Sequence, residues 1–161
     1  MSIRNNYNHT LNACYTAYAV QAIVNHFVPL LFVMFQDEFG IPVGQITLLV
    51  TVNFTVQLLI DFASAAFVDR IGYKTSIMMA HMFVVLGLVG LGTFPQLFST
   101  PFTGLLISVI LYALGGGLIE VLLSPIVASC PTERKSVAIS ILYSFYCWGV
   151  ESRLTATTPQ Q

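Results

Sequence analysis

Five long apolar runs, parted by short polar breaks, decide what this chain can fold into. They lie at about residues 11–35, 43–68, 75–94, 102–128 and 136–150. A helix that crosses a bilayer needs about 20 mainly apolar residues. Backbone at that depth must also satisfy its own hydrogen bonds, which a helix does within itself. The first four runs have the length; the fifth is shorter. Composition closes off the soluble alternative. The chain's 161 residues are 56% hydrophobic and 8% charged, with mean hydropathy +0.80. Soluble domains carry about 25% charged residues. Too few charges remain here to cover a water-facing surface. The expectation is an all-α, polytopic membrane helix bundle with four full transmembrane helices and a truncated fifth, its first partner the lipid bilayer.

The breaks organise the bundle. Residues 1–10 form a polar tail, and the long apolar run after it is read as a spanning helix, not a cleavable signal. Gln36-Asp37-Glu38 end the first run, and Gly40 and Pro42 make its turn. Asp69-Arg70-Ile71-Gly72-Tyr73-Lys74 separate the second and third. Pro95 and Pro101 bracket an uncharged third connection, and Cys130 to Lys135 make a polar fourth. Connections this short force successive helices to run antiparallel. Arg4, Arg70, Lys74, Arg134 and Lys135 then fall on one side, while the first and third connections carry no Lys or Arg. Basic short loops mark the cytoplasm. The chain is therefore expected to be a multi-pass protein of the cell (inner) membrane with its N-terminus cytoplasmic. The fifth run, about 15 residues, would span roughly 22 Å, short of the ~30 Å hydrocarbon core. Residues 151–161 are polar and unlike the rest, so residues 11–150 read as a partial bundle followed by a tail foreign to it.

Polar groups at membrane depth are costly; an ionised one at a helix centre costs about 2.5–3.5 kcal/mol or more. Their spacing is the best functional signal in the chain. In the first run Tyr18, Gln21 and Asn25 share a helix face. His26 flanks it, and Pro29 follows and is expected to kink the helix. These side chains could meet a solute, or could tie helices together. In the second run Asn53, Gln57, Asp61 and Ser64 share a face, with Asp61 expected to pair with a basic residue. In the fourth, Gly115-Gly116-Gly117 permit close helix approach, and Glu120 is the acid deepest in any run. An intramembrane carboxylate is a functional candidate, here for taking up and releasing a proton. Its bland alternative is a buried, hydrogen-bonded acid. His81 in the third run reads as a packing or hydrogen-bonding histidine, and Gly87 and Gly90 as packing notches. In the fifth, Ser140, Tyr143, Ser144 and Cys147 make a mildly polar face, with Tyr146 and Trp148 beside it.

Other chemistries find no support in the pattern. No two His, Cys, Asp or Glu stand at HExxH or similar metal spacing. Cys14, Cys130 and Cys147 are too far apart for a CxxC motif and read as small packing residues. Walker, GxSxG and dinucleotide fingerprints are missing, as is a basic nucleic-acid footprint. The chain is thus expected to be no enzyme, to need no cofactor or metal, and to bind no nucleic acid.

The break between the second and third runs resembles a signature of the major facilitator superfamily. That family's loop there has the pattern Gly-xxx-Asp-Arg-x-Gly-(Arg/Lys)-(Arg/Lys). Asp69, Arg70, Gly72 and Lys74 match it, while Ala65 and Tyr73 depart from it. The fourth run's Glu120, followed by Ser124-Pro125, resembles the fucose permease-like branch of sugar:proton symporters. Asn25 matches that branch in the first run, with His26 where it has an acid. The resemblance covers about residues 11–150 and implies a transmembrane transporter working by alternating access on a small polar, sugar-like solute, with protons as the coupling ion. Together with the polar faces read above, the candidate solute contacts are Gln21, Asn25, His26, Asn53 and Gln57 and the proton-coupling residue is Glu120, while the resemblance implies a gating loop of Asp69, Arg70, Gly72 and Lys74. It also implies twelve helices, so the expectation is a truncated, inactive N-terminal fragment. Two other readings stand beside it: a small membrane scaffold or interaction protein that transports nothing, and a half-size transporter acting as a homodimer.

Overall fold

The computed structural model describes residues 7–129, 135–144 and 147. Helix α1 spans Tyr7–Phe39, α2 Val43–Ile71, α3 Tyr73–Leu97 and α4 Pro101–Ser129. Residues 135–144 are helical as well, and no strand occurs among the described residues. Each of α1 to α4 holds a stretch long and apolar enough to cross a membrane. The all-α polytopic expectation therefore holds. The expected ends were short by up to four residues, because hydropathy marks the hydrocarbon zone and the hydrogen-bonded helix runs on into the polar interface. Asp37 and Glu38 thus lie within the last turn of α1.

Each connection has a local cause. Gly40 follows α1 at φ 62°, the left-handed stop that a residue without Cβ accepts readily. Pro42 precedes α2 and its carbonyl accepts from the Gln45 amide at 2.9 Å. Thr100 precedes Pro101, and its carbonyl accepts from the Thr103 amide at 3.1 Å; proline suits a first helical position, where its missing N–H is not needed.

Two expectations need correction. The stretch Asp69 to Lys74 is not a loop. Asp69 and Arg70 end α2, Lys74 opens α3, and Gly72 alone stands between the helices. Its amide bonds back to the Val68 carbonyl at 2.8 Å, and its own carbonyl accepts from the Ser76 amide at 3.1 Å and the Ser76 hydroxyl at 2.9 Å. One glycine thus caps both helices. Pro95 was expected to open the third connection, but it lies inside α3 and is buried. In lipid a helix tolerates proline because breaking it would expose still more unpaired backbone.

The described chain divides into two compact units, residues 27–121 and residues 1–26 with 122–161. In the first, α3 and α4 meet backbone to backbone. A Cβ added at Gly87 would lie 2.5 Å from the Tyr112 amide nitrogen, and one at Gly115 would lie 2.5 Å from the Ala80 carbonyl oxygen. At Gly104 it would lie 2.5 Å from the Phe94 carbonyl and 2.7 Å from the Pro95 nitrogen. Contacts that pair rising with falling residue numbers show the two helices antiparallel. Leu91, Leu105, Val109 and Tyr112 are buried in this unit. Phe54, Leu58, Leu59 and Phe62 of α2 are exposed, as suits a face against lipid. In the second unit Cys14, Tyr18, Ala22, Leu122, Leu123, Val127 and Leu142 are buried.

Candidate functional site

Helical spacing places the polar residues of α1 on one face, as expected, and α1 remains helical through Pro29. Gln21 is 1% exposed, and its amide nitrogen donates to the Asn25 side-chain oxygen at 3.4 Å. The His26 Nδ1 lies 2.8 Å from the Ala22 carbonyl. A carbonyl can only accept, so Nδ1 carries the proton and donates. The Tyr18 ring meets Tyr143 edge-on, with centroids 5.9 Å apart and planes at 70°. The Tyr143 and Ser124 hydroxyls are 3.3 Å apart. The unit that contains residues 1–26 thus joins amides, an imidazole, two phenols and a hydroxyl. All are polar groups that donate or accept hydrogen bonds, a set that could grip a polar molecule.

The other unit holds the α2 stripe and Glu120. Gly117 of α4 lies against α2: a Cβ there would be 3.3 Å from both the Gln57 Cα and the Ile60 Cγ2. One turn further along each helix come Asp61 and Glu120. Asp61 was expected to pair with a basic residue. It makes no ion pair among the described residues, and its sequence neighbours on that face are Gln57 and Ser64. Ser64 is buried and spends its hydroxyl on the Asp61 carbonyl at 2.9 Å. Asn53 is buried and Gln57 half-buried; the Asn53 Oδ1 and the Gln57 Nε2 have no hydrogen-bond partner among the described residues. A cavity of about 280 Å³ lies between α2, α3 and α4, lined by residues such as Ile60, Phe67, Met79 and Leu118. Its lining is apolar apart from Ser64, so it offers a polar solute no grip.

Asp69, Arg70, Gly72 and Lys74 are all exposed and form no ion pair among the described residues. His81 bonds through Nδ1 to the Ile77 carbonyl at 2.7 Å, the hydrogen-bonding role expected of it. Tyr146 and Trp148 lie outside the described residues. The link from Tyr18 through Tyr143 to Ser124 was not legible beforehand. Each residue was visible as a polar position on its own helix, but a contact between residues 19 apart on different helices leaves no periodic trace. The unmet amides of α2 were equally hidden, since spacing gives a face and not its partners.

Four helices long and apolar enough to cross a bilayer define a polytopic membrane protein. Comparison with known proteins sharpens this: the sequence model described as Major Facilitator Superfamily matches residues 14–150. The chain belongs to that superfamily, whose members are membrane transporters. No curated protein and no solved structure matches it.

Proposed function

We propose that these helices belong to a proton-coupled transporter of a small, neutral, sugar-like solute, akin to the fucose permease-like branch. It resides in the cell membrane with its N-terminus cytoplasmic. The observation that carries the reading is the set of amide and hydroxyl groups around buried Gln21. Its amides, His26 and the tyrosines present donors and acceptors in a setting where each polar group is expensive to keep. Hydroxyl-rich neutral molecules match amide and hydroxyl groups, each of which can donate or accept. The proposed solute contacts are Gln21, Asn25 and His26 within one unit and, separately, Asn53 and Gln57 within the other. Glu120 exchanges the coupling proton. Asp69, Arg70, Gly72 and Lys74 form the cytoplasmic gate.

The test uses the chain in lipid nanodiscs and radiolabelled L-fucose, D-glucose, lactate and choline. The two neutral sugars should be retained saturably, more at acidic than at neutral pH, and lactate and choline should not. Glu120→Gln should keep sugar retention and remove its pH dependence. Retention of the ions alone, or of none of the four, overturns the solute class. A pH dependence that survives Glu120→Gln takes Glu120 out of the mechanism.

A further inference from the structure

Hydroxyl and amide side chains between residues 47 and 64 of α2 fall into two kinds. Thr47, Thr51 and Thr55 each donate their hydroxyl to the carbonyl four residues back, at 3.1, 2.9 and 2.8 Å. Ser64 does the same over three residues. These groups are complete within their own helix and can face lipid without loss. Asn53 and Gln57 are not complete. Asn53 is 8% exposed, and its Oδ1 is buried without a partner among the described residues, as is the Gln57 Nε2. One atom is an acceptor and the other a donor. They sit one helical turn apart on one face, yet do not bond to each other. Against Gln57, α4 presents Gly117, which brings no side chain.

A single group that donates to the first atom and accepts from the second would satisfy both. A hydroxyl is the smallest group that does so. A carboxylate or phosphate oxygen would oppose the Asn53 acceptor with another acceptor, and an ammonium would oppose the Gln57 donor with another donor. We propose that Asn53 and Gln57 form a two-point site for a neutral hydroxyl group, which donates to the Asn53 Oδ1 and accepts from the Gln57 Nε2. The hydroxyl comes from an internal water or from the transported solute. Only the second source rests on the function proposed above.

A double-substitution cycle tests the site: wild type, Asn53→Leu, Gln57→Leu and the pair, each as the full chain in lipid nanodiscs, followed by thermal unfolding. Each single change takes one of the hydroxyl's two partners and strands the other amide. It should lower the midpoint by about 2–4 °C, the scale of a 1 kcal/mol loss in a chain of this size. The pair strands nothing and should recover most of that loss. Asn53→Ser, which keeps an acceptor at the position, should fall less than Asn53→Leu and serves where the leucine variant does not fold. Single changes that raise the midpoint would show the amides unserved and overturn the site. So would losses that simply add in the pair, or an Asn53→Ser loss equal to that of Asn53→Leu. Added D-glucose or L-fucose separates the sources. A rise in the wild-type midpoint that the pair lacks assigns the hydroxyl to the solute. Recovery in the pair with no response to either sugar assigns it to water, and counts against the solute contacts proposed for α2 while the site stands.

Discussion

Gly72 holds φ 87° and ψ 151°, a region of backbone space that is essentially reserved for glycine. No atom crowds the place where its Cβ would go, so the constraint is conformational alone. Gly72→Ala should cost about 1–3 kcal/mol of stability, read as a lowered unfolding midpoint in detergent or lipid; an unchanged midpoint would show the connection to be relaxed. The family pattern around Asp69 drew attention to this glycine from sequence. It did not show that the whole connection is one residue long, because helical hydrogen bonding continues through polar residues that hydropathy assigns to a loop. The polar side chains of α2 teach the same lesson. Thr51 and Asn53 look alike as polar residues in an apolar run. One is satisfied by its own helix and the other is not, and only the positions of atoms separate them.

At the scale of elements, small residues set how closely helices approach. Without a hydrophobic drive between helices in lipid, contact rests on close packing. Gly87 and Gly115 have partner backbone at 2.5 Å from a would-be Cβ, whereas Gly92 has nothing within 4 Å. Gly87→Ala and Gly115→Ala should each destabilise α3–α4 packing by about 1–3 kcal/mol. Gly92→Ala, on an open helix face, should be neutral or gain up to about 1 kcal/mol from reduced backbone freedom. Equal effects at the three positions would contradict the contact. Gly87, Gly90 and the Gly115–Gly117 run were legible as notches from their place in apolar runs. Their partners were not: that Gly87 meets Tyr112 while Gly117 meets Gln57 depends on the relative rotation of whole helices, which no local pattern encodes.

For the whole molecule, the strongest expectation is topological. In a cysteine-free background, Lys74→Cys should react with a membrane-impermeant maleimide from the side that faces the cytoplasm, and Glu38→Cys only from the other. Both native positions are exposed, and the 29 residues of α2 at about 1.5 Å per residue suffice to separate them by a bilayer. Reaction of both from one side would mean that α2 does not cross.

The amino-acid sequence by itself determined the medium and the element type. A chain that is 8% charged cannot cover itself against water, and in lipid each long apolar run must close its own hydrogen bonds as a helix. It also determined which residues share a face, since 3.6-residue periodicity is local. Tertiary structure alone decided what each face meets. It set Tyr18 against Tyr143 and Gly117 against Gln57, and it left Asp61 without an ion pair among the described residues. Those pairings depend on the rotation and approach of helices distant in sequence. They decide which buried polar atoms are satisfied and which, like the Asn53 Oδ1 and the Gln57 Nε2, have no partner among the described residues.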